Sequence, residues 1–176
     1  MSSGSHSIPG KGRAEFERAA LPFLPEIYRT AVGLLGSRTE AEDLAQDVFL
    51  QAWKSFDKFE PGTNIRAWLH KILVFRASHF RRKLWRLQPF GNKEEETRDI
   101  PVNDPVPDHL SDRQVMEALA AVPPPFKETL VLADVREFSY QEIASMLKIP
   151  AGTVMSRLNR GRKLLRAGLI ERGLAR

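Results

Sequence analysis

The chain contains 176 residues, of which 42% are apolar and none is cysteine. That length allows one medium domain or two small ones. The lack of cysteine excludes a disulfide scaffold, a thiol nucleophile and a cysteine-ligated zinc site. No apolar run approaches the ~18 residues of a membrane span, and the first residues lack the pattern of a secretory signal. We therefore expect a cytoplasmic protein that does not insert into a membrane.

Charge is distributed unevenly along the chain, although the net charge is only +5. Residues 1–86 contain 14 basic and 9 acidic side chains, and residues 113–176 contain 11 and 6. Residues 87–112 contain 2 basic and 7 acidic side chains. Two basic segments separated by an acidic one indicate two surfaces for a polyanion and a connector that does not bind it.

Apolar residues recur at helical spacing in both halves, and no stretch alternates as a strand would. The predicted fold class is therefore all-α, with two small helical domains joined by an acidic, proline-containing linker. We predict helices near residues 14–35, 40–56, 65–85, 111–122, 126–135, 139–148 and 152–170. The predicted division is a disordered tail at 1–13, a first domain at 14–86, a flexible linker at 87–111 and a second domain at 112–172.

Residues 137–166 have the pattern of a helix-turn-helix unit. Ser139 is a candidate N-cap, and Lys148-Ile149-Pro150 forms the turn before a second helix. The inward stripe of that helix consists of Val154, Leu158, Gly161 and Leu165. Its outward face carries Ser156, Asn159, Arg160 and Lys163. An acid-free face of hydroxyl, amide and basic groups suits the DNA major groove. The alternative is a helical hairpin with a solvated basic face.

Residues 61–86 contain seven basic side chains and no acidic one. The predicted inward stripe of this helix is Ile65, Leu69 and Ile72. Trp68 and Phe75 flank the stripe, and aromatic rings among cations suit single-stranded nucleic acid because bases stack on the rings. The alternative is that both rings belong to the core and the charges only solvate the helix. The preceding loop, 61–64, is either an ordinary connection or a cradle for a phosphate or an extruded base.

Residues 39–54 form a helix whose outward face is acidic rather than basic. Thr39 and Glu42 are predicted to form a capping box at its start. The outward face carries Asp43, Gln46, Asp47, Leu50 and Lys54. Because carboxylates repel phosphates, this face fits a protein partner better than DNA. The alternative is an acidic face that is simply solvated.

No pattern in the chain indicates catalysis. The four histidines, His6, His70, His79 and His109, are scattered without metal-ligand spacing, so we interpret them as surface or structural residues. There is no glycine-rich phosphate loop and no nucleophile elbow. We therefore expect no catalytic residue, no metal site, no cofactor and no enzymatic activity.

Three motifs together resemble those of the extracytoplasmic-function (group IV) sigma factors of bacterial RNA polymerase. They are the run Ala41-Glu42-Asp43-Leu44-Ala45-Gln46-Asp47-Val48-Phe49-Leu50-Gln51-Ala52-Trp53, the run from Arg66-Ala67-Trp68-Leu69 to Arg81-Arg82, and the run from Ser139-Tyr140-Gln141-Glu142-Ile143-Ala144 to Ser156-Arg157-Leu158. The resemblance covers roughly residues 14–170. It implies a factor that binds core RNA polymerase, directs transcription initiation at specific promoters and helps to melt them.

The resemblance also implies a role for each face. Core polymerase would be bound through its clamp and flap regions, with the clamp contacted by Asp43, Gln46, Asp47 and Leu50. The minus-ten element would be recognised and melted by Asn64, Arg66, Trp68, Lys71, Phe75, His79, Arg81 and Arg82. The minus-thirty-five element would be read as duplex by Thr153, Met155, Ser156, Arg157, Asn159, Arg160 and Lys163. An anti-sigma factor is a further expected partner.

Four positions depart from the family pattern. Phe75 stands where asparagine is usual, and His79 where asparagine or aspartate is frequent, which affects minus-ten preference. Met155 replaces a commonly basic residue, leaving Arg160 as the strongest candidate for bidentate guanine readout. Lys148 stands in the turn where glycine is common.

Two other classes of function remain as alternatives. An autonomous helix-turn-helix regulator would bind duplex DNA tightly without polymerase, but it does not explain the acid-free stripe at 61–86 or the acidic linker. An adaptor that binds only protein does not explain the basic recognition helix.

Overall fold

The computed structural model describes residues 12–85 and 112–174, all of whose regular structure is helical. The all-α prediction is confirmed. The α-helices are α1 (Arg13–Ala20), α2 (Leu24–Leu35), α3 (Arg38–Ser55), α4 (Ile65–Trp85), α5 (Asp112–Ala120), α6 (Pro124–Leu130), α7 (Tyr140–Leu147) and α8 (Ala151–Glu171). The predicted linker, and the predicted tail up to residue 11, lie outside the described residues.

Two details of the predicted first half are wrong. The single helix expected at 14–35 is interrupted by a 3-10 turn, Leu21–Phe23. Pro22 and Pro25 lie near the starts of this turn and of α2, where a missing N–H costs no intrahelical bond. The N-cap of α3 is Ser37, whose hydroxyl accepts from the N–H of Glu40, so the predicted capping box two residues later does not form.

The N-terminal half (α1–α4) packs around a core shared by α2, α3 and α4. Its fully buried side chains include Ile27, Leu44, Val48, Leu69 and Leu73. On α4 the buried stripe continues to Ala77, whereas the expected Ile65 and Ile72 are only partly buried. The core face of α4 is therefore rotated from the one predicted, because α4 contacts both α2 and α3.

The C-terminal half (α5–α8) has the predicted helix-turn-helix. Ser139 and Glu142 form a complete capping box at the start of α7. Lys148 ends α7 in the left-handed region, with φ 54°, where glycine is the residue of lowest strain. The predicted inward stripe of α8 is confirmed: Val154, Leu158, Gly161 and Leu165 are all buried.

The two halves are packed against each other. α4 contacts α7, and α2 contacts α5 and α6. Gly33 of α2 is buried, and a Cβ placed there would lie 3.6 Å from Val131 Cγ2, just after α6. The described part of the chain thus forms one body with a continuous core.

Candidate polymerase and promoter interfaces

The outer face of α3 exposes a mixed acidic and apolar surface. Asp43 and Gln46 are exposed, and Leu50 keeps 52% of its surface accessible. Trp53, one turn further along α3, is 42% exposed. It is part of the first sequence motif but was not among the residues predicted for the outward face. Exposed leucine and tryptophan beside carboxylates suit a protein partner better than a polyanion.

Asp47 differs from the other members of this acidic face because it is engaged within the fold. Both of its carboxylate oxygens accept hydrogen bonds from the guanidinium of Arg76 on α4. This bidentate pair raises the pKa of Arg76 above its ordinary value. Asp47 therefore connects α3 to α4 and does not simply point outward.

The middle of α4 exposes the residues expected to meet single-stranded DNA. Lys71 and His79 are exposed, and Phe75 is 55% exposed, so the alternative that Phe75 belongs to the core is wrong. The rings of Phe75 and His79 stack edge to face with centroids 4.6 Å apart. Together they form a two-ring platform of the kind on which an unpaired base stacks.

Trp68 has a more structural environment than Phe75. It is partly buried, and its ring centroid lies 5.1 Å from that of Phe59 and 6.4 Å from that of Phe56. Arg81 and Arg82 belong to α4, but their side chains lie outside the described part of the chain.

Asn64 and Arg66, at the start of α4, are held by contacts that cross between the halves. Asn64 Oδ1 accepts from the N–H of Ala67, and its Nδ2 donates to Glu142 Oε1 at 3.2 Å. Arg66 donates from Nε to Glu26 Oε1 and from Nη2 to the carbonyl of Arg136, each at 2.7 Å. These partners were not predicted from the sequence.

His70 lies fully buried beneath Arg66. Its Nδ1 donates to the carbonyl oxygen of Arg66 at 2.8 Å, and its Nε2 lies 3.5 Å from Glu26 Oε1. Burial lowers the pKa of His70 to about 4, so the ring is neutral at physiological pH. Its interpretation as a structural histidine agrees with this environment.

The first half of α8 exposes most of the residues expected to read duplex DNA. Met155 is 57% exposed, and Ser156, Asn159 and Arg160 are also exposed. Half-buried members of the expected set are Thr153, Arg157 and Lys163. The capping contacts with Ser139 lower the pKa of Glu142, which keeps the carboxylate ionised at the start of α7.

A cleft of about 610 Å³ separates α4 from the helix-turn-helix. Trp68, Lys71 and Phe75 line one wall, and Lys148 and Arg157 contribute to the other. Two of the expected DNA-binding helices thus face the same cavity. Within the described residues, no group of three metal-ligating side chains occurs, and no helix is long and apolar enough to cross a membrane.

Comparison with known families matches both halves of the chain. The Sigma-70 region 2 model matches residues 21–87, and the Sigma-70 region 4 model matches residues 112–165. The chain belongs to the sigma-70 family, within its extracytoplasmic-function (ECF) group.

Individual relatives agree with this assignment. ECF RNA polymerase sigma factor SigE of Mycolicibacterium smegmatis is 33% identical over 163 residues, which are 85% of this chain and 63% of that protein. This chain therefore spans slightly less than two thirds of SigE. ECF RNA polymerase sigma factor EcfG of Rhodopseudomonas palustris is 32% identical over 84% of this chain and 81% of that protein.

A solved structure with a similar fold is the sigma factor RpoE of Bartonella quintana in complex with the anti-sigma factor NepR. Its TM-score is 0.71 with 30% sequence identity, covering 89% of this chain and 97% of that one.

Proposed function

We propose that this chain binds core RNA polymerase and directs it to specific promoters, reading a minus-ten and a minus-thirty-five element. One observation carries this proposal. A single chain of the sigma-70 family combines an acidic and apolar face on α3 with two basic helices, α4 and α8. The names of its relatives, sigma factors of RNA polymerase, support the same function. The proposal assigns no catalytic step to the chain itself.

The proposed polymerase-binding surface is the outer face of α3, within a region-two domain at 14–86. Asp43, Gln46 and Leu50 are accessible there, and Asp47 contributes through the carboxylate that it shares with Arg76. A basic patch on the clamp of the polymerase would complement this face. Such charge complementarity speeds association and fixes orientation.

The proposed minus-ten surface is the exposed side of α4. Lys71 would meet phosphates, and the Phe75–His79 platform would stack on an unpaired base of the melted strand. Asn64, Arg66, Trp68, Arg81 and Arg82 complete the proposed set. Trp68 acts partly by positioning, because its ring packs on Phe56 and Phe59.

The proposed minus-thirty-five surface is the first half of α8, within a region-four domain at 112–172. Arg160 is the proposed guanine reader, and Ser156 and Asn159 are its neighbours on the exposed face. The remaining proposed contacts are Thr153, Met155, Arg157 and Lys163. We also propose an anti-sigma partner, since the similar Bartonella sigma factor was solved in complex with one.

A gel-shift and run-off transcription series tests the proposal. The chain alone, core polymerase alone and the two together are each incubated with a library of promoter fragments. We expect a specific shifted complex and a defined transcript only when both proteins are present. Tight duplex binding by the chain alone on an inverted repeat would instead establish the autonomous regulator.

Promoter melting is tested separately with Lys71→Ala, since this side chain is exposed on α4. The variant should impair open-complex formation more than closed-complex binding. A template that already contains an unpaired bubble should restore its activity. If the bubble gives no rescue, Lys71 has no role in melting.

A further inference from the structure

Met155 is the most exposed large apolar side chain among the described residues. It keeps 57% of its surface accessible on the outer side of α8, while Val154 and Leu158 on the inner side are buried. A single exposed apolar residue is common on protein surfaces, so exposure alone assigns no role. The position of Met155 within the proposed minus-thirty-five surface is a second, independent observation.

The neighbours of Met155 on this surface are polar side chains that suit base edges. Residues four positions apart lie on the same side of a helix, one turn apart, so Asn159 is next to Met155. Both side chains are exposed. Ser156 is exposed as well, and its hydroxyl donates to the carbonyl oxygen of Thr153 at 3.0 Å. Met155 is therefore the apolar member of a surface otherwise made of hydroxyl, amide and basic groups.

An apolar side chain can recognise one feature of the major groove, the C5-methyl group of thymine. Cytosine lacks this methyl group and presents the N4 amino donor where thymine presents the O4 acceptor. A thioether donates no hydrogen bond and accepts only weakly, so Met155 would distinguish thymine from cytosine by apolar contact. The unbranched, polarizable side chain of methionine adapts readily to such a contact.

The sulfur atom of Met155 is also the most accessible sulfur of the described residues. The sequence contains four methionines and no cysteine. Met146 is only 6% exposed, and Met116 is partly buried against the core. Met1 lies outside the described residues. Because the oxidation of sulfur follows its exposure, Met155 should react well before Met116 and Met146.

Resting on the proposed function, we propose that Met155 reads thymine in the minus-thirty-five element and is a site of reversible oxidation that changes this reading. The oxidant is a peroxide. A lone pair of the sulfur attacks one peroxide oxygen, the O–O bond breaks, and proton transfer leaves the sulfoxide and water (an alcohol from an organic peroxide). The sulfur loses two electrons and the peroxide gains them. Methionine sulfoxide reductases reverse the modification.

The sulfoxide changes what Met155 presents to the groove. It is polar, and its oxygen accepts hydrogen bonds. Beside thymine this oxygen faces the O4 acceptor and the apolar contact is lost, whereas beside cytosine it can accept from the N4 amino group. Oxidation should therefore lower the preference for thymine over cytosine at one base pair by about fivefold or more, the effect of a single mismatched pair. Because no charge changes, binding to phosphates and its salt dependence should stay the same.

Mass spectrometry of the peroxide-treated free chain tests the modification. Trypsin cleaves after Lys148, which places Met146 and Met155 in different peptides. We expect the peptide of Met155 to gain one oxygen atom under conditions in which the peptides of Met116 and Met146 remain unmodified. Circular dichroism checks that the treated chain keeps its helical structure. If the three peptides gain oxygen at the same rate, Met155 is not a selective site and the proposal is refuted.

Run-off transcription tests the change in reading. The chain is oxidised and freed of peroxide before core polymerase is added, so that the polymerase itself is not modified. Each thymine of the minus-thirty-five element, on either strand, is replaced in turn by cytosine. We expect one position at which oxidation lowers the preference for thymine by about fivefold or more, and at which treatment with the reductases restores it. An unchanged preference at every position would overturn the proposal while the sigma function stands.

Two variants separate the effect of Met155 from that of oxidation elsewhere in the chain. Met155→Leu keeps an apolar side chain, so it should retain the preference for thymine and should not respond to peroxide. Met155→Leu with Leu24→Met has the natural number of methionines but moves the exposed one to the start of α2, where Leu24 is 43% exposed. This matched control should gain oxygen without a change in base preference. A loss of thymine preference in the oxidised control would contradict the role of Met155.

Failure of this proposal and failure of the proposed function give different results. If the untreated chain directs no promoter-dependent transcript, the proposed function fails, and the reading role of Met155 fails with it. If the untreated chain transcribes, and its oxidised form discriminates between thymine and cytosine as Met155→Leu does, then Met155 is an oxidisable surface residue that reads no base.

Discussion

Gly161→Ala is expected to destabilise the C-terminal half by forcing α8 away from α6. A Cβ at this position would lie 2.9 Å from Leu130 Cγ and 3.3 Å from Phe126 Cβ. Leu130 is 2% exposed, and its Cγ is a branch point close to the backbone, so a simple rotamer change does not relieve the contact. Such overpacking costs about 1–3 kcal/mol, of which about 1 kcal/mol is offset by the higher helix propensity of alanine.

Gly152→Ala on the same helix is the matched control. Nothing lies within 4 Å of a Cβ at this position, so the substitution gains helix propensity without a steric cost. The two variants should differ by about 1–3 kcal/mol in the free energy of unfolding, measured by urea titration with circular dichroism. For a chain of this length, that difference corresponds to roughly 2–4 °C in Tm per kcal/mol.

A second substitution shows whether the steric contact is the cause. Leu130→Ala removes the nearest atoms at its own cost of about 2–5 kcal/mol. In that background, Gly161→Ala should be neutral or stabilising, because the new methyl group enters the vacated space. The same loss of stability from Gly161→Ala in both backgrounds would refute this account of the α6–α8 contact.

Three further predictions concern DNA reading, polymerase binding and pH. In holoenzyme, Arg160→Ala should relax specificity at one or two base pairs of the upstream element, because a bidentate contact to guanine contributes ~1–3 kcal/mol of discrimination. Lys163→Ala should instead weaken binding to all sequences evenly. If Arg160→Ala lowers transcription equally on every variant of the element, Arg160 contacts the DNA backbone and does not read a base. Asp43→Arg should weaken association with core polymerase in a pull-down without changing the circular dichroism spectrum, since this side chain is exposed on α3. If the variant captures as much polymerase as the natural chain, Asp43 does not belong to the polymerase-binding face. The pKa of His70 is about 4 in the folded chain and about 6.5 in the unfolded chain, so the unfolded chain takes up the proton first as the pH falls. The free energy of unfolding should therefore decrease by up to about 3 kcal/mol as the pH is lowered from 6.5 to 4. Urea titrations of a His70→Gln variant should lack this component, and an identical pH profile would contradict it.

The helical pattern was sufficient to predict the fold class and most helix positions. The apolar stripe of α8 and the Ser139 cap follow from local chemistry, since each depends on residues within one or two helical turns. The face of α4 was less predictable, because α4 packs against α2 and α3 at once and so buries His70 together with Leu69 and Leu73.

The contacts between the halves could not be predicted from local patterns. Arg136 and Phe138 lie about 70 residues from Arg66 in sequence, and no periodicity connects them. The same applies to Asp47 and Arg76, which occur on two helices with outward polar faces. One signal was present in the chain: Glu26 and Thr30 are polar residues one turn apart on α2, which is largely apolar, and a buried polar residue requires a polar contact.

The ion pair between Asp47 and Arg76 has a consequence for genetic studies of this protein. One partner lies on the face proposed for polymerase, and the other lies next to Phe75 on the helix proposed for promoter melting. A substitution at either position changes the charge of both faces and leaves the remaining partner uncompensated. Under the proposed function, phenotypes at this pair are therefore expected to combine a loading defect with a melting defect. Only a charge-swapped double variant, Asp47→Arg with Arg76→Asp, preserves the attraction while exchanging which face carries each sign.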